Sequence, residues 1–121
     1  MFVVVRFTVD AADADGFLGQ ARQALAALAA RPGFRAGRVG RSVDEPAAWS
    51  LITEWDGVGA YRRALSAYDV KVRATPLLAL ARDEPTAFET LLYDDGVQAV
   101  NASSDRSSDV RGPGDRGDYG R

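Results

Sequence analysis

The chain of 121 residues contains neither cysteine nor histidine. Without thiols there are no disulfides and no thiolate metal sites. Serine and cysteine triads of the common kind need an imidazole base, and zinc sites draw on His or Cys in nearly all cases, so both chemistries are excluded. Asparagine is absent up to Tyr93, with Asn101 beyond it. No charge of one sign dominates: the formal net charge is −2, which offers no field to draw in nucleic acid or a membrane surface. No apolar run approaches the roughly 18 residues of a membrane span. The opening Met1-Phe2-Val3-Val4-Val5-Arg6 lacks a basic segment ahead of its apolar stretch and reads as a strand rather than a signal peptide. These absences predict a cytoplasmic protein. No Gly-rich phosphate loop is present, since Gly57-Val58-Gly59 is too short and lacks a following Lys.

What remains is unevenly spread. After Val100 the chain is Ser, Asp, Gly and Arg with almost nothing apolar. Such a segment cannot bury enough surface to offset its ordering entropy. The division expected is therefore a domain over 1–93 and a flexible, disordered tail over 94–121. Every basic residue except Lys71 is arginine.

Within the domain, Val3, Val5, Phe7 and Val9 alternate along a strand. Asp13 and Asp15 open a helix whose apolar face is Phe17, Ala21, Ala24, Leu25 and Leu28, and Pro32-Gly33 stops it. Phe34–Val43 is extended, with Gly37 and Gly40 marking a bulge or a close backbone approach. Asp44-Glu45-Pro46 turns the chain into a third strand, Trp49–Trp55, which completes an antiparallel hairpin. Asp56 caps a second helix with a stripe of Val58, Tyr61, Leu65, Tyr68 and Val72. Thr75-Pro76 begins a short helical piece through Leu80, and Thr86–Tyr93 forms the fourth strand.

The order β-α-β-β-α-β is that of an α+β, ferredoxin-like fold with an antiparallel four-stranded sheet. Its helices can cover one sheet face only. The other carries Trp49 and Leu51, or Val4 and Ile52, depending on register. A large apolar face does not stay in water, so a homodimer with sheets packed face to face is expected.

Pro32-Gly33-Phe34, then Gly37-Arg38-Val39, Arg41-Ser42, Asp44-Glu45-Pro46, Trp49, Thr53-Glu54-Trp55 and Ala60-Tyr61-Arg62 together resemble the antibiotic biosynthesis monooxygenase family, whose members are dimeric α+β barrels. The resemblance covers Met1 to Tyr93. It implies a cofactor-independent monooxygenase that oxidises an aromatic polyketide or quinol with O₂, and so no cofactor and no metal. In such relatives a Trp ending the third strand and a Tyr six residues on line the site, which marks Trp55 and Tyr61 as catalytic candidates. Arg38, Trp49 and Tyr68 are the substrate-binding candidates. Leu51 stands where those enzymes carry an Asn. The haem-degrading relatives use a Trp and a His at positions corresponding to Ala64 and Ala74, which excludes that route. The alternative is a non-catalytic dimer of the same fold that binds a small, apolar or aromatic ligand or a partner.

Overall fold

Alternation along the first strand decides which side of the sheet becomes the core. Val3, Val5, Phe7 and Val9 are all buried, and they form one cluster with Trp49, Leu51 and Trp55 from the third strand and Phe17, Ala21, Ala24 and Leu28 from the first helix. β1 (Phe2–Thr8) runs antiparallel to β3 (Ala48–Trp55), from Phe2↔Glu54 to Thr8↔Ala48. β2 (Phe34–Arg41) flanks β3, and β4 (Ala87–Phe88) flanks β1, so the sheet order is β2-β3-β1-β4. This is the ferredoxin-like order expected. The computed structural model describes residues 1–97, 99 and 100. Register also resolves the open choice of faces: Trp49 and Leu51 turn toward the helices, while Val4 and Ile52 pair on the other face.

The glycines of β2 divide into two kinds. A Cβ on Gly37 would lie 2.6 Å from Leu25 Cδ1, so Gly37 lets the first helix approach the edge strand. Gly40 has no such crowding, and the irregularity in β2 falls between Phe34 and Ala36 instead. As the free edge of the sheet, β2 carries the exposed Arg35, Arg38 and Arg41, charges that oppose edge-to-edge association.

α1 (Ala14–Ala29) follows a short 3₁₀ turn at Ala11–Asp13. Asp13 precedes it without making a side-chain cap bond. The second helical region is less regular than its pattern predicts. α2 (Val58–Ser66) starts from Gly57, not from a capping Asp56, and the chain becomes extended at Ala67 before α3 (Tyr68–Arg73) and α4 (Thr75–Leu78). That one extended residue breaks the 100° step between successive side chains. The buried residues beyond it are therefore Val70, Ala74 and Leu77, while Tyr68 is 81% exposed and Val72 lies in solvent.

The last strand also departs from expectation. Thr86–Tyr93 pairs with β1 only at Ala87–Phe88. Val4 N donates to Thr86 O at 2.7 Å in the same register, and Arg82 N donates to Arg6 O at 2.8 Å. In that register Glu89 falls opposite Met1, so the residues beyond it run past the end of β1 and have no strand to pair with. The chain turns instead into a separate hairpin of β5 (Tyr93–Asp94) and β6 (Ala99–Val100). The segment expected to be disordered from Asp94 thus opens with paired backbone. The tail beyond Val100 lies outside the described residues.

The Pro-Gly turn after α1 has a specific physical reason. Gly33 has a φ of 86°, a left-handed conformation that only glycine adopts freely, and a Cβ there would overlap that of Ala60 in α2. Its carbonyl accepts a hydrogen bond from Asp56 N at 2.8 Å, which ties the turn to the end of β3. Gly33→Ala is expected to lower unfolding stability by about 2 kcal/mol or more, the left-handed penalty of ~1–2 kcal/mol adding to overpacking. Urea denaturation of wild type and variant checks this.

Candidate functional site

Two places on the helix side of the sheet carry aromatic and polar groups together. One lies at the end of β3. Trp55 is wholly buried, and its ring meets Phe34 edge-on at 5.3 Å and Tyr61 at 5.6 Å. The strand places Thr53 on the same face two residues earlier, and Trp55 Nε1 donates to Thr53 Oγ1 at 2.8 Å. The indole N–H is thereby used within the core. Tyr61, in the first turn of α2, is half-buried, and desolvation raises its phenol above the ordinary tyrosine range. It is neutral at neutral pH and is suited to donating a hydrogen bond rather than taking a proton.

The other place lies at the opposite end of the sheet, since Thr8 pairs with Ala48 while Phe2 pairs with Glu54. Here the carboxyl end of β1, the start of α1 and Leu80 after α4 border an open cavity of about 470 Å³. Phe7, Val9, Phe17 and Leu80 supply apolar walls, and Thr8, Asp10, Asp13 and Gln20 the polar groups. The absence of a side chain at Gly16 helps leave the space open. Phe17 joins the cavity to the core through an aromatic chain, edge-on to Phe7 at 5.0 Å and to Trp49 at 5.2 Å. The Arg41 guanidinium caps that chain 5.5 Å from the centre of the Trp49 ring.

This volume falls within the range of small-ligand sites, ~300–1,000 Å³, as does the mixture of apolar walls and a few polar groups. Phe7 and Phe17 form its buried floor, at 1% and 8% exposure, while Asp10, Asp13 and Gln20 stand at its exposed rim. The carboxylates can accept a hydrogen bond from a ligand's hydroxyl. Among the described residues no group of three or more His, Cys, Asp or Glu could hold a metal ion.

The sequence-based candidates are therefore dispersed. Trp55 and Tyr61 stand together, but away from the cavity. Trp49 is buried behind it, in contact with Phe17. Arg38 is exposed on the far face of the sheet, opposite Ile52, and Tyr68 faces solvent. The sequence singles out neither Asp10 nor Gln20, and it marks Phe7, Phe17, Asp13 and Leu80 only as core or helix residues. The available signal was two carboxylates, Asp10 and Asp13, directly after a strand that hands over to a helix. Sites are often found just beyond such a strand end.

Comparison with known proteins places this geometry in context. A family model described as antibiotic biosynthesis monooxygenase matches residues 1–72. Among solved structures, the cofactor-independent oxygenase SnoaB from Streptomyces nogalater is 34% identical with a TM-score of 0.59, the match covering 74% of this chain and 94% of that one. A conserved protein from Methanosarcina mazei Go1 is 19% identical at a TM-score of 0.59, over 71% of this chain and 84% of the other. A protein of unknown function from Bacteroides thetaiotaomicron is 12% identical at the same TM-score, over 67% and 86%. These last two share the fold alone. No curated protein matches the chain. The sheet order, the helices on one face and the family match over more than half of the sequence agree, and the chain belongs to the antibiotic biosynthesis monooxygenase family.

Proposed function

We propose that this protein is a cofactor-independent monooxygenase that oxidises a phenol or quinol of aromatic polyketide type in the cavity between β1, α1 and Leu80. The observation that carries the reading is the cavity itself, with aromatic walls from Phe7 and Phe17 and two carboxylates beside them. SnoaB, a cofactor-independent oxygenase, supports the reaction class. In such a reaction the substrate's hydroxyl loses its proton, and the electron-rich anion passes electrons to O₂. Where the reacting carbon is a CH₂ conjugated to the phenolate, one oxygen atom becomes its carbonyl and the other leaves as water, with the two hydrogens accounted for. The apolar residues would flank the anion on one side, and Asp10, Asp13 or Gln20 would orient the hydroxyl.

One feature favours the alternative of a non-catalytic binding protein. Trp55 is sealed in the core with its N–H on Thr53, and Leu51, four residues earlier on the same strand face, is apolar and buried. Oxygen uptake with a panel of dihydroxyanthracenes and quinols separates the two readings. Uptake above the buffer rate for at least one member is expected. Tight binding without uptake across the panel would establish the alternative.

The place of reaction is tested by two substitutions. Leu80→Trp, at an exposed position on the cavity wall, is expected to cut turnover or ligand affinity at least tenfold, equivalent to about 1.4 kcal/mol. Tyr61→Phe is expected to leave both within twofold. The reverse pattern would move the site to Trp55 and Tyr61.

The sheet face away from the helices bears on assembly. Phe2, Val4 and Ile52 are half-buried there, and Phe2 stacks on Phe88 at 5.5 Å. We infer that a second copy covers this face. Size-exclusion chromatography with light scattering at micromolar concentration is expected to return twice the chain mass, and a monomer would refute the pairing.

A further inference from the structure

Some glycines of this domain have a packing reason and others have none. A Cβ on Gly33 would overlap Ala60, and one on Gly37 would strike Leu25, so their surroundings hold both positions to glycine. Gly16 and Gly19 lie within α1, where glycine is a poorer helix former than alanine. A Cβ on either would meet nothing within 4 Å, and neither has a positive φ. Packing and backbone therefore leave both positions open to larger residues. The two differ in place: Gly16 lines the open cavity bordered by β1, α1 and Leu80, and Gly19 does not.

Helical spacing puts Gly16 in the middle of that lining. Ala12 and Asp13 stand four and three residues before it, Gln20 four residues after it and Phe17 beside it, and all of them border the cavity. A side chain at position 16 would rise between the rim groups Asp13 and Gln20. The floor consists of Phe7 and Phe17, with ring centres 5.0 Å apart and ring planes at 64°. A planar ligand can lie flat on only one of these rings and meets the other edge-on. The floor thus sets the ligand's plane, and the α1 lining sets how far it can extend along the helix.

We propose that Gly16 is the specificity-determining residue of this cavity. The missing side chain admits a planar ligand of several fused rings, which extends along α1 over residue 16 between Asp13 and Gln20. A larger residue at that position would restrict the site to a single ring. The volume of about 470 Å³ agrees, since pockets of ~300–1,000 Å³ receive drug-sized ligands. The inference rests on the cavity being the ligand site, as proposed above, and adds to it the size class of the ligand and the residue that sets it.

The test uses the full chain and two probes, hydroquinone with one ring and a dihydroxyanthracene with three. Binding is measured by titration calorimetry without oxygen, so that the result does not depend on turnover, and thermal unfolding confirms the fold of each variant. Gly16→Leu is expected to weaken dihydroxyanthracene binding at least tenfold, to leave hydroquinone within about threefold, and to unfold no earlier than wild type. Gly16→Ala, which adds a single methyl group, is expected to show the same order with a smaller loss. Gly19→Leu is expected to leave both probes within about twofold, because residue 19 does not reach the cavity. Unchanged dihydroxyanthracene binding in Gly16→Leu, with Leu80→Trp still weakening it, would overturn the role of Gly16 and leave the cavity as the site. An equal loss of both probes, or the same loss in Gly19→Leu, would also overturn that role. A wild type that binds neither probe, or whose binding survives Leu80→Trp unchanged, would overturn the cavity reading and this inference with it.

Discussion

A four-stranded sheet has two faces, and the connections in this chain cover only one of them. That constraint organises the molecule. Because α1 to α4 all pack on the side of Val3, Val5, Phe7, Leu51 and Trp55, the core lies there, and the other face is left with Phe2, Val4, Ile52 and Phe88. The helix side is closed tightly at one end by rings and remains open at the other. On the far side the apolar Phe2, Val4, Ile52 and Phe88 stand among Arg6, Arg38, Ser50 and Glu54.

The two ends of the helix side differ because of which residues terminate the strands. β3 ends in Trp55, whose large ring is wedged between Phe34 and Tyr61 and whose N–H is met by Thr53. No space is left at that end of the cluster for a ligand to reach the indole. β1 ends at Thr8 and passes through Asp10 into a short 3₁₀ turn before α1 begins. The turn holds the start of the helix away from the sheet, and Gly16 adds no bulk, so a cavity forms over Phe7 and Phe17. The chemistry available to the protein follows: an apolar floor, two carboxylates, a glutamine amide, and no imidazole or thiol. That inventory suits reactions in which the substrate supplies its own electrons and the protein contributes position.

Family membership and local geometry bear on different levels. Membership over residues 1–72 establishes the architecture and supports a monooxygenase-type function at the level of the family. It does not by itself carry a residue set. A fold supports many chemistries through the groups at its strand ends, and the functional reading therefore has to rest on Asp10, Asp13, Phe17 and Leu80 rather than on the fold alone.

The sequence by itself determined the kinds and order of the main elements, because alternation in β1 and β3 and the 3.6-residue stripe of α1 are written in successive side chains. It also determined the exclusions, since absent Cys and His cannot be restored by folding. Pro32-Gly33 was legible as a stop, although the need for glycine there, against Ala60, was not. Three things waited for the tertiary structure. Which sheet face turns inward depends on the register of β1 with β3, a non-local pairing. The exposure of Tyr68 and Val72 follows from one extended residue, Ala67, that no periodicity announces. The cavity joins residues 7 to 20 with Leu80, and a void between distant segments has no signature in any one of them, because it consists of where side chains fail to meet.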